Sequence, residues 1–364
     1  MILFNIGMFV FPSLLAIVIH NYLRHGEMSG KRKLVFWLIY LFLINVITFS
    51  ISYVRGVQGI RFSDMTNSYR LKYIGMGLIL AFIMPFPVCL LTEDMITLGG
   101  LNRYAKRFIS DMRKYYPYAV RAAKSDLHCE VANSYLNWLW WLIEPFCMML
   151  IYTLIFGMVF KASEQYFPVF IFIGISMWSF FSRSISGSVD TVRAAKGIIT
   201  KIYMPKYILL LSKMYVNAFK MMVSFGIVLI MLVLFGVPFS WRVILFIPLI
   251  IELFLFTFGL GTIMMHYGVY VNDLSYITGI ILSMMMYFTG TFYSIAKRVP
   301  EPFGEIIEAC NPVAFLISSM RKSLLYNTGF DWGIFAIWMF ISLVMIALGA
   351  FTIYSNENAY VKVI

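Results

Sequence analysis

The stretch SDLHCEVANSYLNWLWWLIEPFCMMLIYTLIFGMVF, residues 125–160, carries one charged residue, Glu144, between Tyr135 and its end. A helix rises about 1.5 Å per residue, so this run outreaches the roughly 30 Å hydrocarbon core of a bilayer. Similar runs recur along all 364 residues, which are 61% hydrophobic and 13% charged. Soluble domains carry about 25% charged residues. The chain therefore reads as an all-α polytopic membrane protein.

Six spans are expected in the second part of the chain: Tyr135 to Phe160, Phe167 to Ile185, Ile208 to Phe235, Val243 to His266, Tyr276 to Ile295 and Ile334 to Tyr354. About three more precede them, near Ile2 to Tyr22, Leu34 to Val54 and Ile74 to Leu91. The domain plan is thus an extension over 1–100, a cytoplasmic interface helix and linker over 101–134, and a six-span domain over 135–364. The mixed polarity of 297–328, with Pro300, Pro302, Glu305, Asn311 and Pro312, suits short re-entrant helices at the outer face.

Lysine and arginine in short loops set orientation. The gap from Glu93 to Ser134 holds Arg103, Lys106, Arg107, Arg113, Lys114, Arg121 and Lys124, which places it inside and the amino terminus outside. The net charge of +12 then needs no nucleic acid, because basic residues at cytoplasmic boundaries face anionic lipid. In the gap, Tyr104, Phe108, Met112 and Tyr115 recur at helical steps between basic residues, the pattern of a helix lying in the membrane interface. Pro117 is expected to end it, and Ser134 to cap the next span.

Catalytic and metal signatures are missing from the sequence. The four histidines and four cysteines are scattered, with no H-E-x-x-H, C-x-x-C, G-x-S-x-G or G-x-x-x-x-G-K-[ST]. No metal site, no catalytic residue and no cofactor of the chain's own is expected. Glu144, Arg183, Lys220 and Glu252 are the ionisable residues at membrane depth, where charge is costly and points to function. Trp138, Trp141, Pro145, Met148 and Tyr152 share one face of the first of the six spans. Ser283, Tyr287, Thr291 and Ser294 are expected to form a polar and aromatic stripe on the fifth. Trp138, Trp141, Tyr152, Ser283, Tyr287 and Thr291 are therefore candidates to line a passage, since aromatic faces stack on sugar rings. One six-helix chain is too thin to enclose a wide pore, so a bulky cargo would pass between two copies.

Between the second and third of these spans lies KGIITKIYMPKYILLLSK, residues 196–213. No residue from Thr191 to Ile251 is acidic, yet Arg193, Lys196, Lys201, Lys206 and Lys213 crowd together around Pro205. Positive-inside placement explains the charges but not the proline.

These segments carry a resemblance. Residues 125–160 resemble the opening of permeases of ABC exporters for polysaccharide, O-antigen and teichoic acid, with an acidic-Leu pair, a Leu-x-x-Leu-Trp run and a Pro in order. GISMWSFFSRSISGSVDTVRAAKGIITKIYMPKYIL (174–209) resembles the second span and connector of that family. YFTGTFYSIAKRVPE (287–301) and NPVAFLISSMRKSLL (311–325) resemble the end of its fifth span and the Asn-Pro stretch beyond it. The resemblance covers roughly residues 120 to 355 and leaves the first three spans outside it.

The resemblance implies a six-helix ABC exporter transmembrane domain in the bacterial cytoplasmic membrane, paired with a second copy and with two copies of a separate ATPase that would hold ATP and Mg²⁺. It makes the connector a coupling helix with Arg193, Lys196, Lys201, Tyr203 and Pro205 docking the ATPase. It also sets Arg103, Lys106, Arg107, Arg113 and Lys114 near a lipid-linked pyrophosphate or a lipid headgroup. A lipid-linked glycan is the implied cargo. An ABC exporter of drugs, peptides or lipids, and a membrane enzyme acting on lipid-linked glycans, are the alternatives.

Overall fold

The computed structural model describes residues 2–23, 30–54, 76–78, 80–81, 84–85, 98–132, 135–159, 164–201, 203–238, 240–301 and 303–363. Every regular element among them is helical: α1 (Ile2–Leu23), α2 (Gly30–Val54), α3 (Leu98–Val131), α4 (Trp140–Thr153), α5 (Phe167–Val189), α6 (Thr191–Ala194), α7 (Lys196–Ile199), α8 (Lys206–Leu234), α9 (Phe246–Tyr270), α10 (Leu274–Phe288), α11 (Ile295–Arg298), α12 (Phe303–Cys310), α13 (Pro312–Leu324) and α14 (Trp332–Val363). A 3₁₀ turn, Asn137–Leu139, leads into α4 and a π turn, Leu154–Val159, leaves it. The chain divides into two compact units, 1–98 with 296–310, and 99–295 with 311–364.

In the first unit α1 packs on α2 around Ala16, Tyr40 and Ile44, joined by Leu80 and Ala81. Several described polar groups on these apolar helices are paired internally, as lipid demands. The His20 ring nitrogen Nδ1 and the Tyr40 hydroxyl are 2.6 Å apart, and Trp37 Nε1 donates to Ser13 Oγ at 3.1 Å. The expected third span lies mostly outside the described residues.

Among the described residues of the second unit, five helical stretches are long and apolar enough to cross a membrane: Asn137–Val159, Phe167–Val189, Lys206–Leu234, Trp241–Tyr270 and Trp332–Glu357. Helix α5 is its centre. It is buried along most of its length, with Ser176, Ser184 and Ser188 among the buried residues, and α4, α8, α9, α10 and α13 pack on it. Helices α9 and α14 approach closely because Gly259 leaves room for Met345, whose Cβ lies 2.9 Å from where a side chain at position 259 would begin. Gly268 likewise lies against the Val189 carbonyl, with no room for a Cβ.

Two sequence expectations are corrected. Pro117 does not end the interface helix; α3 runs unbroken through it for 34 residues. A proline removes one backbone hydrogen bond and crowds the preceding turn, but packing on both sides holds the helix together. Upstream, the Phe108 ring lies 5.0 Å from that of Tyr207; downstream, Ala119, Ala123 and Val131 are buried. The expected cap, Ser134, lies outside the described residues.

The fifth span is also shorter than read. Helix α10 stops at Phe288 after 15 residues, so the stripe through Thr291 and Ser294 does not continue on a helix face. The Thr289 hydroxyl donates back to the Met286 carbonyl and Gly290 takes a φ of +65°, which ends the helix. Beyond it come the short helices α11, α12 and α13. Asn311 caps α13, its Oδ1 accepting from the backbone N–H of Val313 at 3.1 Å and Ala314 at 3.2 Å, with Pro312 at the first turn.

Candidate functional site

A cleft of about 140 Å³ opens along α4 between α5 and α8 and reaches the turn after α10. Three of the six expected passage residues, Trp141, Tyr152 and Thr291, line it, as do Pro145 and Met148 of the expected α4 face. From Trp141 to Tyr152 is about 16 Å along a helix. The Tyr152 ring sits 4.7 Å from that of Phe292, and Trp141 meets Phe219 edge-on at 5.4 Å. The other three lie apart: Trp138 is exposed on the 3₁₀ turn, Ser283 is exposed on α10 and donates to the Gly279 carbonyl, and Tyr287 is exposed at the end of α10.

The intramembrane charges converge on the same cleft. Arg183 Nη2 lies 2.6 Å from Glu144 Oε1, and Lys220 Nζ lies 2.6 Å from Glu130 Oε2. Asn217 donates from Nδ2 to Ser184 Oγ at 3.0 Å. Arg183, Glu144, Lys220 and Asn217 all line the cleft, together with Ser176, Ser179 and Ser224. Glu252 does not. It is fully buried between α9 and α14, where Ser342 donates to its Oε1 at 2.8 Å.

Arg321 shapes the far end of the cleft. It is 4% exposed and donates from Nε to Phe170 O at 3.0 Å, from Nη1 to Gly290 O at 2.7 Å and from Nη2 to Thr291 O at 2.7 Å. Its guanidinium also covers the Phe170 ring at 3.5 Å. The turn that sets Thr291 and Phe292 in the cleft wall is thereby tied to α5. A lone arginine in the apolar sequence 311–325 was the available signal for this role.

The connector after α5 forms two single turns, α6 and α7, and Pro205 sits at the cap position of α8 rather than closing a connector helix. Lys196 and Lys201 are exposed, as are Gly197, Ile198 and Thr200 around them. Arg193 is half-buried and donates to the Val269 carbonyl at 3.2 Å. Pro205 is buried.

Tyr203 belongs to a network that the sequence did not disclose. Its hydroxyl donates to Glu357 Oε2 at 2.9 Å and accepts from Arg107. Arg107 also pairs with Glu357 at 3.0 Å and Asp111 at 3.7 Å, and lies over the Tyr354 ring at 4.3 Å. Tyr354 in turn donates to Asp111 Oδ2 at 2.9 Å and shares a hydrogen bond with Tyr207 at 2.7 Å. Burial, then the Glu357 carboxylate, pushes the Tyr203 phenol up to about 12. Helix α3, the connector and the end of α14 are thus joined by one set of side chains. Glu357, an isolated carboxylate at the end of the last apolar run, was the sequence signal.

The basic residues of α3 therefore divide. Arg107 turns inward, whereas Lys106, Arg113 and Lys114 are exposed and, with Ile109 and Ser110, line a shallow surface groove. The side chain of Arg103 lies outside the described ones. The apolar face of α3 meets α8, through Phe108 on Tyr207 and Tyr116 on Tyr215 at 6.2 Å.

Residues 126–325 match the ABC-2 type transporter family. The chain is 25% identical over 215 residues to the O-antigen export system permease protein RfbA of Myxococcus xanthus, covering 59% of this chain and 83% of that protein. It is 27% identical over 225 residues to a protein of the same name from Klebsiella pneumoniae, covering 62% of this chain and 86% of the relative. The family match takes in α4 to α10, the connector and the whole cleft, along with the Arg321 turn beyond them. The chain belongs to the ABC-2 type transporter family.

Proposed function

We propose that this chain exports a lipid-linked cell-surface polysaccharide or teichoic acid across the cytoplasmic membrane, working as a homodimer. Family membership makes it a multi-pass transport subunit whose ATPase is a separate chain, which sets aside the membrane-enzyme alternative. Two relatives named as O-antigen export permeases support the cargo class over drugs, peptides or lipids. The observation that carries the reading furthest is the cleft: tryptophan and tyrosine faces interleaved with hydroxyl, amide and charged groups at membrane depth. That combination suits a sugar chain, which stacks on aromatic faces and hydrogen-bonds at its edges.

The second copy is supported by the surface of α4. Only Met149 of Trp140–Thr153 is buried, and the Glu144 and Arg183 side chains are 54% and 48% exposed. An ion pair cannot face hydrocarbon without large cost, so this face suits a polar passage shared with a partner. With the gap on the cytoplasmic side, Lys196 and Lys201 present two exposed cations to an ATPase that would bind ATP and Mg²⁺, while Tyr203, Arg193 and Pro205 tie the connector into the fold. Lys106, Arg113 and Lys114 would meet lipid headgroups or a lipid-linked pyrophosphate beside it.

The test is affinity purification of the tagged chain from its native membrane, followed by an ATPase assay of what co-purifies. The double variant Lys196→Glu and Lys201→Glu should insert normally yet lose ATPase co-purification and substrate-stimulated hydrolysis. Unchanged co-purification would remove the docking role, and a chain that captures no ATPase under any condition would overturn the exporter reading.

A further inference from the structure

The two cations of the cleft are paired with a shared asymmetry. Both cations, Arg183 and Lys220, stand on α5 and α8, the packed heart of the second unit. Both carboxylates, Glu144 and Glu130, stand on the peripheral stretch formed by α4 and the end of α3, which presents exposed faces along most of its length. Each cation is thus satisfied by a group on the more exposed stretch, Glu144 from within the cleft and Glu130 from outside its lining.

A purely structural pair with a cation at membrane depth would be expected to be sealed. Here three of the four partners are more than two-fifths exposed: 48% for Arg183, 54% for Glu144 and 43% for Glu130, against 21% for Lys220. Half-exposed pairs are weakly held and exchange partners readily. Around them Ser179 adds a hydroxyl and Asn217 an amide, while the Ser176 and Ser224 hydroxyls donate to the backbone carbonyls of Phe172 and Lys220. Guanidinium, ammonium and hydroxyl donors on one wall are the chemistry that grips phosphate oxygens.

Resting on the export reading above, we infer that Arg183 and Lys220 form a binding site for a phosphate or diphosphate group inside the cleft, with Glu144 and Glu130 as internal stand-ins that the ligand displaces. The site differs from the exposed cations of α3, being set among the spans. A diphosphate brings enough negative charge to meet both cations at once. The displaced carboxylates leave with the peripheral stretch, so arrival of the anion and loosening of α4 from α5 become one event.

The test is binding of farnesyl diphosphate to the full chain in phosphatidylcholine nanodiscs, measured by calorimetry. The sign of the carboxylate variants decides it. Glu144→Gln and Glu130→Gln remove an internal competitor and should each tighten binding by about two- to fivefold, the scale of a half-exposed pair. Arg183→Gln and Lys220→Gln should weaken it by about ten- to a hundredfold, the scale of a charged hydrogen bond. Tighter binding cannot arise from misfolding, and the neutral double variant Arg183→Gln with Glu144→Gln controls for an orphaned carboxylate behind the loss.

Parallel titrations identify the source of the phosphate. Farnesyl diphosphate binding without inorganic pyrophosphate binding points to a prenyl-linked cargo, and equal binding of both to phosphate as such. Loss of farnesyl diphosphate binding in phosphatidylglycerol nanodiscs points to a membrane headgroup. Equal affinity in the parent and both carboxylate variants, or equal affinity for farnesol, overturns the site. Neither result depends on an ATPase, so the co-purification assay still judges the export reading separately.

Discussion

Replacing Arg321 by methionine keeps the unbranched apolar stem and removes the donors. Three carbonyl oxygens, of Phe170, Gly290 and Thr291, then lose partners at 3.0, 2.7 and 2.7 Å. A buried unsatisfied acceptor costs about 1–3 kcal/mol. Part of that is offset because a guanidinium no longer has to be taken out of water, and water entering the vacated space recovers more. A net loss of about 3–5 kcal/mol results for the second unit. At roughly 2–3 °C per kcal/mol for a domain of this size, the melting temperature should fall by about 6–15 °C. Arg321→Lys should fall between, since an ammonium lacks the planar fork that reaches three carbonyls together.

The assay is thermal unfolding of the purified chain in one detergent, followed by tryptophan fluorescence. A second readout separates local from global effects. Cysteine placed at Thr291, 1% exposed in the parent, should react with a soluble maleimide only once Arg321 is removed. An Arg321→Met chain that melts within about 2 °C of the parent, with residue 291 still protected, would show that the turn is held by something else and refute the reasoning.

Other expected outcomes are smaller in scope. The Arg107–Glu357 pair is partly exposed, so a double-mutant cycle of Arg107→Gln and Glu357→Gln should return a coupling of about 0.5–1 kcal/mol in chemical unfolding; a coupling near zero would dissolve the network. The Tyr203 phenol titrates near 12 in the folded chain against an ordinary value of 10.0, so its contribution is complete below pH 10 and fades as pH rises toward 12. The stability gap between parent and Tyr203→Phe should therefore shrink across that window, and a gap that stays constant to pH 12 would contradict it. Gly268→Ala drives a methyl into the Val189 carbonyl and should abolish monodisperse protein, whereas Gly226→Ala, with open space around it, should be neutral or add about 1 kcal/mol; size-exclusion profiles compare the two.

The helices of the spans were legible because an apolar run must satisfy its own backbone hydrogen bonds in lipid, and that requirement is local. Tyr135 to Phe160 needs no neighbour to read as a span, and the described helix boundaries fall within a few residues of the expected ones for most spans. The exceptions are places where neighbours intervene. Pro117 reads as a stop, yet contacts of Phe108 and Ala119 on either side carry α3 across it. Thr291 reads as the next step of a helical stripe, yet Gly290 and the Arg321 fork turn the chain away first.

For the site, residue type announced depth but not partners. Glu144, Arg183 and Lys220 stood out as charges inside apolar runs. That Glu144 faces Arg183, that Lys220 takes Glu130 from the end of α3, and that Arg107 turns inward to Glu357 depend on which helix faces meet, across separations of 39 to 250 residues. Membrane class, helix content and the motifs shared with exporters were thus settled by the sequence alone, through the length of its apolar runs and the order of its motifs. The cleft, its paired charges and the clamp at Arg321 were decided only by tertiary packing, because long-range pairing is a property of assembled surfaces and leaves no period in the chain.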